Sequence, residues 1–332
     1  MRILLWHVHG AWTTAFVHGA HEYLVPVVPD RGPDGRGRAQ TYTWPDAAVE
    51  VTREEARDAE VDVVVLQRPH ELEHLAEEWL GGRRPGRDVP AVYVEHNAPQ
   101  GRIADMRHPV AGRQDVTLAH VTHFNALFWD AGDTPTRVIE HGIVDPGYRY
   151  RGDLERAAVV INEARRRARV TGTDLLDRLG TAMPIDLFGM DAESLGGIAD
   201  VPQAQLHDEI ARRRAYLHPI RWTSLGLSLI EAMHLGMPVL ALGMTEAWRA
   251  VPPDAGAISG DVDELVRAAR RLLADPDEAV RRGRIARDAA LARYSLERFL
   301  RDWDRLLDDV VTAHRKRTSR NPGGIYQRGG HE

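Results

Sequence analysis

The sequence of 332 residues contains no cysteine. This absence excludes disulfide bonds, thiol nucleophiles, iron–sulfur clusters and zinc sites built from cysteine. Because a chain without cysteine suits a reducing compartment, we expect a cytoplasmic protein.

Lysine is almost absent, since Lys316 near the C-terminal end is its single occurrence. A phosphate-binding P-loop, a Schiff-base enzyme and a pyridoxal-phosphate enzyme each need an ammonium group in the folded body. These three classes are therefore excluded. Positive charge is carried by arginine, whose guanidinium stays ionised and can bind two phosphate oxygens at once.

Long apolar runs are also missing, because no stretch approaches the ~20 residues that span a bilayer. The 43 basic and 49 acidic side chains give a net charge of −6. This charge provides no overall attraction to nucleic acid or to an anionic membrane surface. We expect no transmembrane segment and no nucleic-acid partner, while local peripheral contact with a membrane stays open.

Short apolar runs alternate with helical patterns in the first half of the chain. Most of the runs are continuous, which is typical of strands covered on both faces in a parallel sheet. The glycine-rich basic segment 31–38 predicts an exposed mobile loop, either a lid or a linker. The predicted strands are 2–8, 23–28, 61–66, 91–95, 117–122 and 137–140.

Turn residues at 145–152 interrupt this pattern, and a second α/β series follows. The sequence therefore predicts two α/β domains, 1–150 and 151–294, and 332 residues with 43% hydrophobic side chains can fill two cores. An apolar stripe that includes Trp303 marks a helix within 278–313, and residues 318–332 predict a flexible tail. In the second half the predicted strands are 157–161, 185–188, 215–217 and 238–242, and the predicted helices are 173–179, 203–213, 227–235 and 262–273.

Segment 222–241 is the most informative part of the sequence. Gly226 allows a tight turn into a helix that begins near Leu227, whose free N–H groups and positive dipole end favour a phosphate. Glu231, four residues further on, lies on the same helical face and can accept hydrogen bonds from ribose hydroxyls. The alternative is an ordinary loop, helix and strand, because glycine-to-helix turns bind many ligands or none.

Parts of this segment resemble the donor-binding signature of retaining GT-B-fold glycosyltransferases, chiefly glycosyltransferase family 4. The parts are Gly226-Leu227, Glu231-Ala232-Met233 and Gly236-Met237-Pro238-Val239. Segments 19–22, 139–145 and 171–176 also resemble family segments and occur in the family's order, so the resemblance covers nearly the whole chain.

The resemblance implies the GT-B architecture, in which two Rossmann-like doubly wound parallel-sheet domains face each other across a cleft. The first domain, 1–150, would hold the acceptor, and the second, 151–294, would hold the donor. A C-terminal helix, 295–313, would pack back on the first domain. The implied activity is retaining, hexosyltransferase-like transfer of a sugar from a nucleotide-diphosphate sugar, with UDP or GDP, to an unknown hydroxyl acceptor. The donor would be a co-substrate, with no tightly bound cofactor and no protein-bound metal.

The resemblance also implies roles for individual residues. Glu231 would bind the ribose, and the Gly226 and Leu227 amides would bind the diphosphate together with an arginine of the 165–169 run. Arg166 is nearest by spacing, and a solvated arginine face is the alternative. The further implied set is His96 at the sugar or acceptor, Thr223 and Ser224 at the sugar, and Gly10, Arg169 and Gly189 at the donor.

Two positions depart from the family pattern. Thr223 stands eight residues before Glu231, where the family has a glutamate, and Thr171 stands where the family has a phosphate-binding lysine. The second hypothesis is therefore a catalytically degenerate GT-B protein that binds a nucleotide sugar without turnover.

Histidines mark the carboxyl ends of two predicted strands. His96 follows strand 91–95, at the edge where open α/β sheets collect ligands, although a histidine at a strand end also serves structural roles. Asn97, His123, Asn125 and His141 are weaker candidates on the same rim. His7 and His9 alternate onto one strand face and suggest a metal hydrolase as a third hypothesis, but no partner has diagnostic spacing. We therefore expect no metal site.

Overall fold

The structure is a computed structural model that describes residues 1–320. Within this range the strands are β1 (Arg2–Leu5), β2 (Glu22–Pro26), β3 (Ala48–Val51), β4 (Val63–Leu66), β5 (Ala91–Glu95), β6 (Val116–His120), β7 (Thr136–Val138), β8 (Leu154–Val160), β9 (Ile185–Phe188), β10 (Arg213–His218), β11 (Val239–Leu242) and β12 (Gly256–Ser259). The helices are α1 (Gly10–Phe16), α2 (Arg53–Asp58), α3 (Ala76–Trp79), α4 (His123–Phe128), α5 (Ala164–Arg167), α6 (Leu176–Gly180), α7 (Gln203–Ile210), α8 (Leu227–Leu235), α9 (Ala247–Ala250), α10 (Val262–Ala274), α11 (Pro276–Arg293) and α12 (Leu296–Arg320).

The strands form two separate parallel sheets. The first has the order β3-β2-β1-β4-β5-β6-β7 and the second has the order β12-β11-β10-β8-β9. Central strands such as β4 and β11 are buried along their whole length, because helices cover both faces of each sheet. The prediction of two doubly wound α/β units is confirmed, and we call them the first lobe and the second lobe.

Strands β3 and β12 are absent from the sequence prediction, and each lies at an edge of its sheet. Both are only partly buried, so neither shows the continuous apolar run of a central strand. The predicted helix 203–213 is wrong at its end, because α7 stops at Ile210 and β10 begins at Arg213. The Arg213 Nε donates a hydrogen bond to the Asp186 carboxylate at 2.8 Å, which ties this residue to the sheet.

Two chain segments cross where the lobes join. The amide of Ile143 donates to the carbonyl of Tyr294 at 3.0 Å, and Ile143 forms a bridge with Ser295. At Gly142 a Cβ would overlap the Phe299 side chain, so only glycine allows this close approach. From this crossing the chain enters α12.

Helix α12 packs on the first lobe. The Trp303 ring contacts the rings of Trp12 and Phe16, with centroids 5.6 and 5.0 Å away. Apolar residues at spacings of three and four build this face, which belongs to the same buried cluster as β1 and α1: Phe299, Trp303, Leu306, Leu307, Val310 and Val311. Helix α12 therefore packs into a core that is built from the N-terminal residues of the chain.

Two peripheral segments differ from the sequence pattern. Segment 31–38 is anchored, since Arg31 pairs with Glu50 at 2.9 Å and the Trp6 indole donates to the Asp34 carbonyl at 3.1 Å. Helix α12 continues through residues 318–320, where a tail is predicted. The remainder of that predicted tail, 321–332, lies outside the described residues. Among the helices of 1–320, none combines the length and low charge of a membrane-spanning helix.

The packing of α12 on the first lobe predicts how two substitutions change the free energy of unfolding. Replacing Trp303 by alanine removes a fully buried indole and should lower the free energy of unfolding by about 3–5 kcal/mol. Replacing Leu127, whose exposed fraction is 80%, should change it by less than ~0.5 kcal/mol. Urea unfolding measures both. Equal midpoints for Trp303→Ala and the unmodified chain would show that α12 does not stabilise the first lobe.

Candidate functional site

The two lobes meet at the carboxyl ends of their parallel strands. Leu227, the first residue of α8, packs against the buried clusters of both lobes. The Trp222 indole donates to the Pro99 carbonyl at 2.9 Å, and the Phe124 amide donates to the Glu246 carboxylate at 2.8 Å. This interface therefore lies where open α/β sheets bind ligands.

Three histidines gather on the first-lobe side of the interface. The ring centroids of His9 and His96 are 4.0 Å apart, and the Trp12 ring meets His96 edge-on. His96 Nε2 is 3.0 Å from the Gln67 Oε1, so the ring is held by a hydrogen bond as well as by packing. The third member, His141, lies in the segment that links the lobes.

Burial, with smaller repulsion from neighbouring basic groups, keeps this histidine cluster uncharged. Burial is the main cause that lowers the pKa of His9 to about 4 and that of His141 to about 3. Burial and the nearby His9 hold the pKa of His96 well below its usual range. Near pH 7 all three rings are neutral, so each can donate and accept hydrogen bonds without adding charge.

The other histidine and amide candidates do not converge on this cluster. His7 Nδ1 lies 3.1 Å from the Gly37 carbonyl, away from His9. Within the described residues, no three His, Asp or Glu side chains, this cluster included, are placed so that they could hold a metal ion. Asn125 is fully buried and its Nδ2 donates to the Glu95 carbonyl at 3.3 Å, whereas Asn97 and His123 are exposed.

On the second-lobe side, the N-terminal end of α8 is not capped by any side chain. Gly226 occupies the N-cap position with extended backbone, and no side chain caps the helix. The first amides of a helix have no partner within it, and the aligned peptide dipoles add positive potential there. The helix has nine residues, is almost entirely buried beyond its first turn, and points this end at the first lobe. The arrangement can receive an anion between the lobes.

Glu231 lies one turn inside α8, and only 7% of it is exposed. Its Oε1 accepts a hydrogen bond from Gln203 Nε2 at 2.9 Å, and its Oε2 is 3.6 Å from His207 Nε2. A carboxylate has about four acceptor positions, so Gln203 leaves positions for other donors. The carboxylate is therefore held in place by α7 and keeps acceptor capacity.

The residues before α8 form a bridge between the lobes. The Trp222 ring packs against the rings of Phe124 and Phe128 from the first lobe, with centroids 5.2 and 5.4 Å away. Of the two predicted sugar contacts that follow, Thr223 is partly exposed and Ser224 is buried. The structure thus leaves Thr223 more accessible than Ser224.

The predicted phosphate-binding arginines are engaged elsewhere. Arg166 is exposed and its Nε donates to the Glu163 carboxylate at 2.8 Å, while Arg169 is 3.3 Å from Asp174. Arg167 is half-buried and has no side-chain hydrogen bond or ion pair with the residues described here. Burial, followed by repulsion from Arg166, lowers the pKa of Arg167. Sequence spacing did not single out Arg167.

Two further positions have fixed structural surroundings. Thr171 is fully buried, and its Oγ1 donates to the Ala168 carbonyl at 3.2 Å. Gly189 has φ +131°, a conformation that side chains rarely adopt, and a Cβ there would overlap the Ile161 carbonyl. Gly189 is thus required by the backbone after β9. Thr171 presents no side chain to a ligand.

Several residues of the site carry no sequence motif. Gln203 and His207 hold Glu231 from α7, and Gln67 holds His96 from the end of β4. Helix periodicity predicts α7, but the packing of α7 on α8 is a tertiary contact that periodicity does not reveal. An isolated glutamine after a strand gives no signal at all.

The fold and site define a two-lobed protein of the GT-B class, with parallel sheets joined by crossing links. The family model described as "Glycosyl transferases group 1" matches residues 189–275, a segment that contains α7 and α8. A comparison with curated proteins gave no match.

Solved structures of glycosyltransferases are similar over most of the chain. Sucrose-phosphate synthase from Thermosynechococcus elongatus matches with a TM-score of 0.69 and 14% identity, over 94% of this chain and 100% of that chain. Anabaena HepE in complex with UDP and glucose matches with a TM-score of 0.70 and 16% identity, over 93% and 99%. TarM from S. aureus matches with a TM-score of 0.60 and 13% identity, over 74% of this chain and 55% of that chain. These matches confirm the predicted GT-B fold.

The neutral histidine cluster predicts a pH-dependent stability. Below about pH 6.5 these histidines bind protons in the unfolded chain but not in the folded chain. The free energy of unfolding therefore falls as the pH drops toward the lowered pKa values. For His141, with a pKa of about 3, the loss at pH 5 is ~2 kcal/mol.

The variant His141→Asn removes this titrating group, and it should lose less stability than the unmodified chain between about pH 7 and about pH 5. Urea unfolding at the two pH values measures the difference. An identical pH dependence in both proteins would contradict a neutral, buried His141.

Proposed function

We propose that this protein is a glycosyltransferase that moves a sugar from a nucleotide-diphosphate sugar to a hydroxyl acceptor with retention of anomeric configuration. The observation that supports the proposal is the uncapped N-terminal end of α8, one turn from Glu231, at the interface between the lobes. The match of residues 189–275 to a glycosyltransferase family model supports the same function.

The donor nucleotide would bind mainly to the second lobe. The amides at Gly226 and Leu227 would face the diphosphate, because an uncapped helix end favours an anion. Glu231 would accept hydrogen bonds from the ribose hydroxyls beside the bond that it already accepts from Gln203. Gly189 would allow close approach of the backbone at the edge of the second sheet, whereas Gly10 is covered by the Tyr42 ring.

Additional positive charge would come from the arginine run. Arg166 and Arg169 would have to leave Glu163 and Asp174 to reach a phosphate. Arg167 needs no such exchange, and its partial burial disfavours the unpaired charge, so a diphosphate partner would stabilise it. We therefore favour Arg167 as the guanidinium that contacts the diphosphate.

Uracil is the first base to test. HepE and TarM are described in complexes with UDP, and HepE also with UDP-glucose. A guanine nucleotide is the second choice.

Catalysis would rest on position and charge stabilisation. The acceptor hydroxyl would attack the face from which the diphosphate departs, and a diphosphate oxygen would take the acceptor proton, so no protein nucleophile is needed. The neutral His96 would contact the sugar or the acceptor from the first lobe, and Thr223 and Ser224 would lie on the sugar side of α8. Closure of the lobes would exclude water from the reacting atoms.

A second candidate is a protein that binds a nucleotide sugar without turnover. The buried Thr171 supports it, because this position presents no charge to the diphosphate. Thr223 supports it as well, since a hydroxyl cannot replace the charge of the family's glutamate.

The variant Glu231→Gln tests the donor site. It keeps the size of the side chain but loses the charged acceptor, so the Kd for UDP should rise ~10–100-fold. The matched control is Glu297→Gln, since 85% of the Glu297 side chain is exposed on α12. Isothermal titration calorimetry measures both variants. Equal affinity of Glu231→Gln and the unmodified protein would remove Glu231 from the site.

Donor hydrolysis separates the two candidate functions. The purified protein is incubated with UDP- and GDP-sugars, and the release of free sugar is followed. We expect slow hydrolysis of at least one donor, because the leaving diphosphate is stabilised even without an acceptor. Tight nucleotide binding with no turnover of any donor would favour the second candidate.

A further inference from the structure

Tyr42 of the first lobe lies over the end of β1. A Cβ on Gly10 would be 3.0 Å from the Tyr42 Cε2 and 3.6 Å from its hydroxyl oxygen, so the phenol ring covers this glycine. Gly10 begins α1 at the interface edge of the first sheet. The ring therefore lies on the first-lobe side of the interface described above.

The chain around Tyr42 is held by two anchors. Trp44, two residues further on, is buried, and its indole donates to the Thr14 Oγ1 at 2.8 Å. The Arg38 guanidinium donates to the Trp44 carbonyl at 2.7 Å. These bonds tie the Tyr42 segment to α1, so the position of the phenol is set by the first lobe.

The phenol shares its packing cluster with the start of α8 and keeps its proton. Tyr42 and Leu227 both pack on the buried cluster of the first lobe. Burial first, and the Glu231 charge second, raise the pKa of Tyr42 to about 12. The hydroxyl therefore keeps its proton near pH 7 and remains a hydrogen-bond donor, and it has no hydrogen-bond partner among residues 1–320.

We infer that the Tyr42 hydroxyl donates a hydrogen bond to the diphosphate of the nucleotide bound at the N-terminal end of α8. The inference rests on the proposed function. The phenol covers Gly10, at the end of the first sheet, and packs on the same buried cluster as Leu227, the first residue of α8. Glu231 is the acceptor for the ribose, and a phenol that keeps its proton supplies the donor that phosphate oxygens require.

This contact gives the first lobe a direct role in donor binding. The position of the family's lysine holds the buried Thr171, so the diphosphate lacks that cation. A phenol from the opposite lobe supplies a neutral donor in a different place. Binding of the diphosphate then stabilises the arrangement in which both lobes contact the nucleotide.

The variant Tyr42→Phe tests the inference, because it keeps the ring over Gly10 and removes only the hydroxyl. The matched control is Tyr148→Phe, the same change at a half-exposed ring that packs on Gly236, at the other end of α8. Each full-length protein is titrated with UDP and GDP by calorimetry. For the base whose diphosphate binds, the Kd of the corresponding nucleoside is then measured by its displacement of the diphosphate.

For Tyr42→Phe we expect the Kd of the nucleoside diphosphate to rise about tenfold, while that of the nucleoside stays the same. Tyr148→Phe should change neither value. Unchanged diphosphate affinity in Tyr42→Phe, or an equal loss for diphosphate and nucleoside, would overturn the inference and leave the proposed function standing. If the unmodified protein binds neither UDP nor GDP, the proposed function fails and the inference fails with it.

Discussion

The packing of α12 on the first lobe is the contact on which the rest of the structure depends. The chain leaves the first lobe through 139–145, builds the second lobe, and returns through Tyr294 and Ser295 beside the outgoing segment. Trp303 then enters the same aromatic group as Trp12 and Phe16. Because both crossings lie side by side, they set where the second lobe stands, and the N-terminal end of α8 is directed at the first lobe.

The two sides of the interface contribute different chemistry. The first lobe offers neutral groups, namely buried histidines and a phenol that keeps its proton. The second lobe offers a helix dipole and one oriented carboxylate, Glu231. The combination would suit an anionic ligand with hydroxyl groups, such as the proposed nucleotide sugar. In this interface the neutral hydrogen-bonding groups lie on the first lobe, and the helix dipole and the carboxylate lie on the second. An interface lined with charges of one sign would bind only the oppositely charged part of such a ligand.

Much of the architecture was predictable because it follows from local patterns. Continuous apolar runs predict the central strands, and the predicted limits of the β5 strand and of α8 agree with the structure. The edge strands β3 and β12 were missed because half-exposed strands lack such runs. In the site, Glu231 lies five residues after Gly226 and four after Leu227 on one helix, so their proximity is a property of the helix itself. Which arginine is free to bind a ligand depends on two ion pairs, Arg166 with Glu163 and Arg169 with Asp174. The spacing of the arginines in the sequence does not predict these pairs.

The sequence by itself determined the two α/β units, the helix end at 226–227 and the carboxylate one turn inside it, because each depends on residues that are close along the chain. Tertiary structure alone decided that Gln203 holds Glu231, that Gln67 holds His96, and that Tyr42 covers Gly10. These contacts join residues far apart in sequence, and they form only when separate elements pack. Their geometry comes from the crossing links and from the apolar face of α12, and no local pattern encodes it.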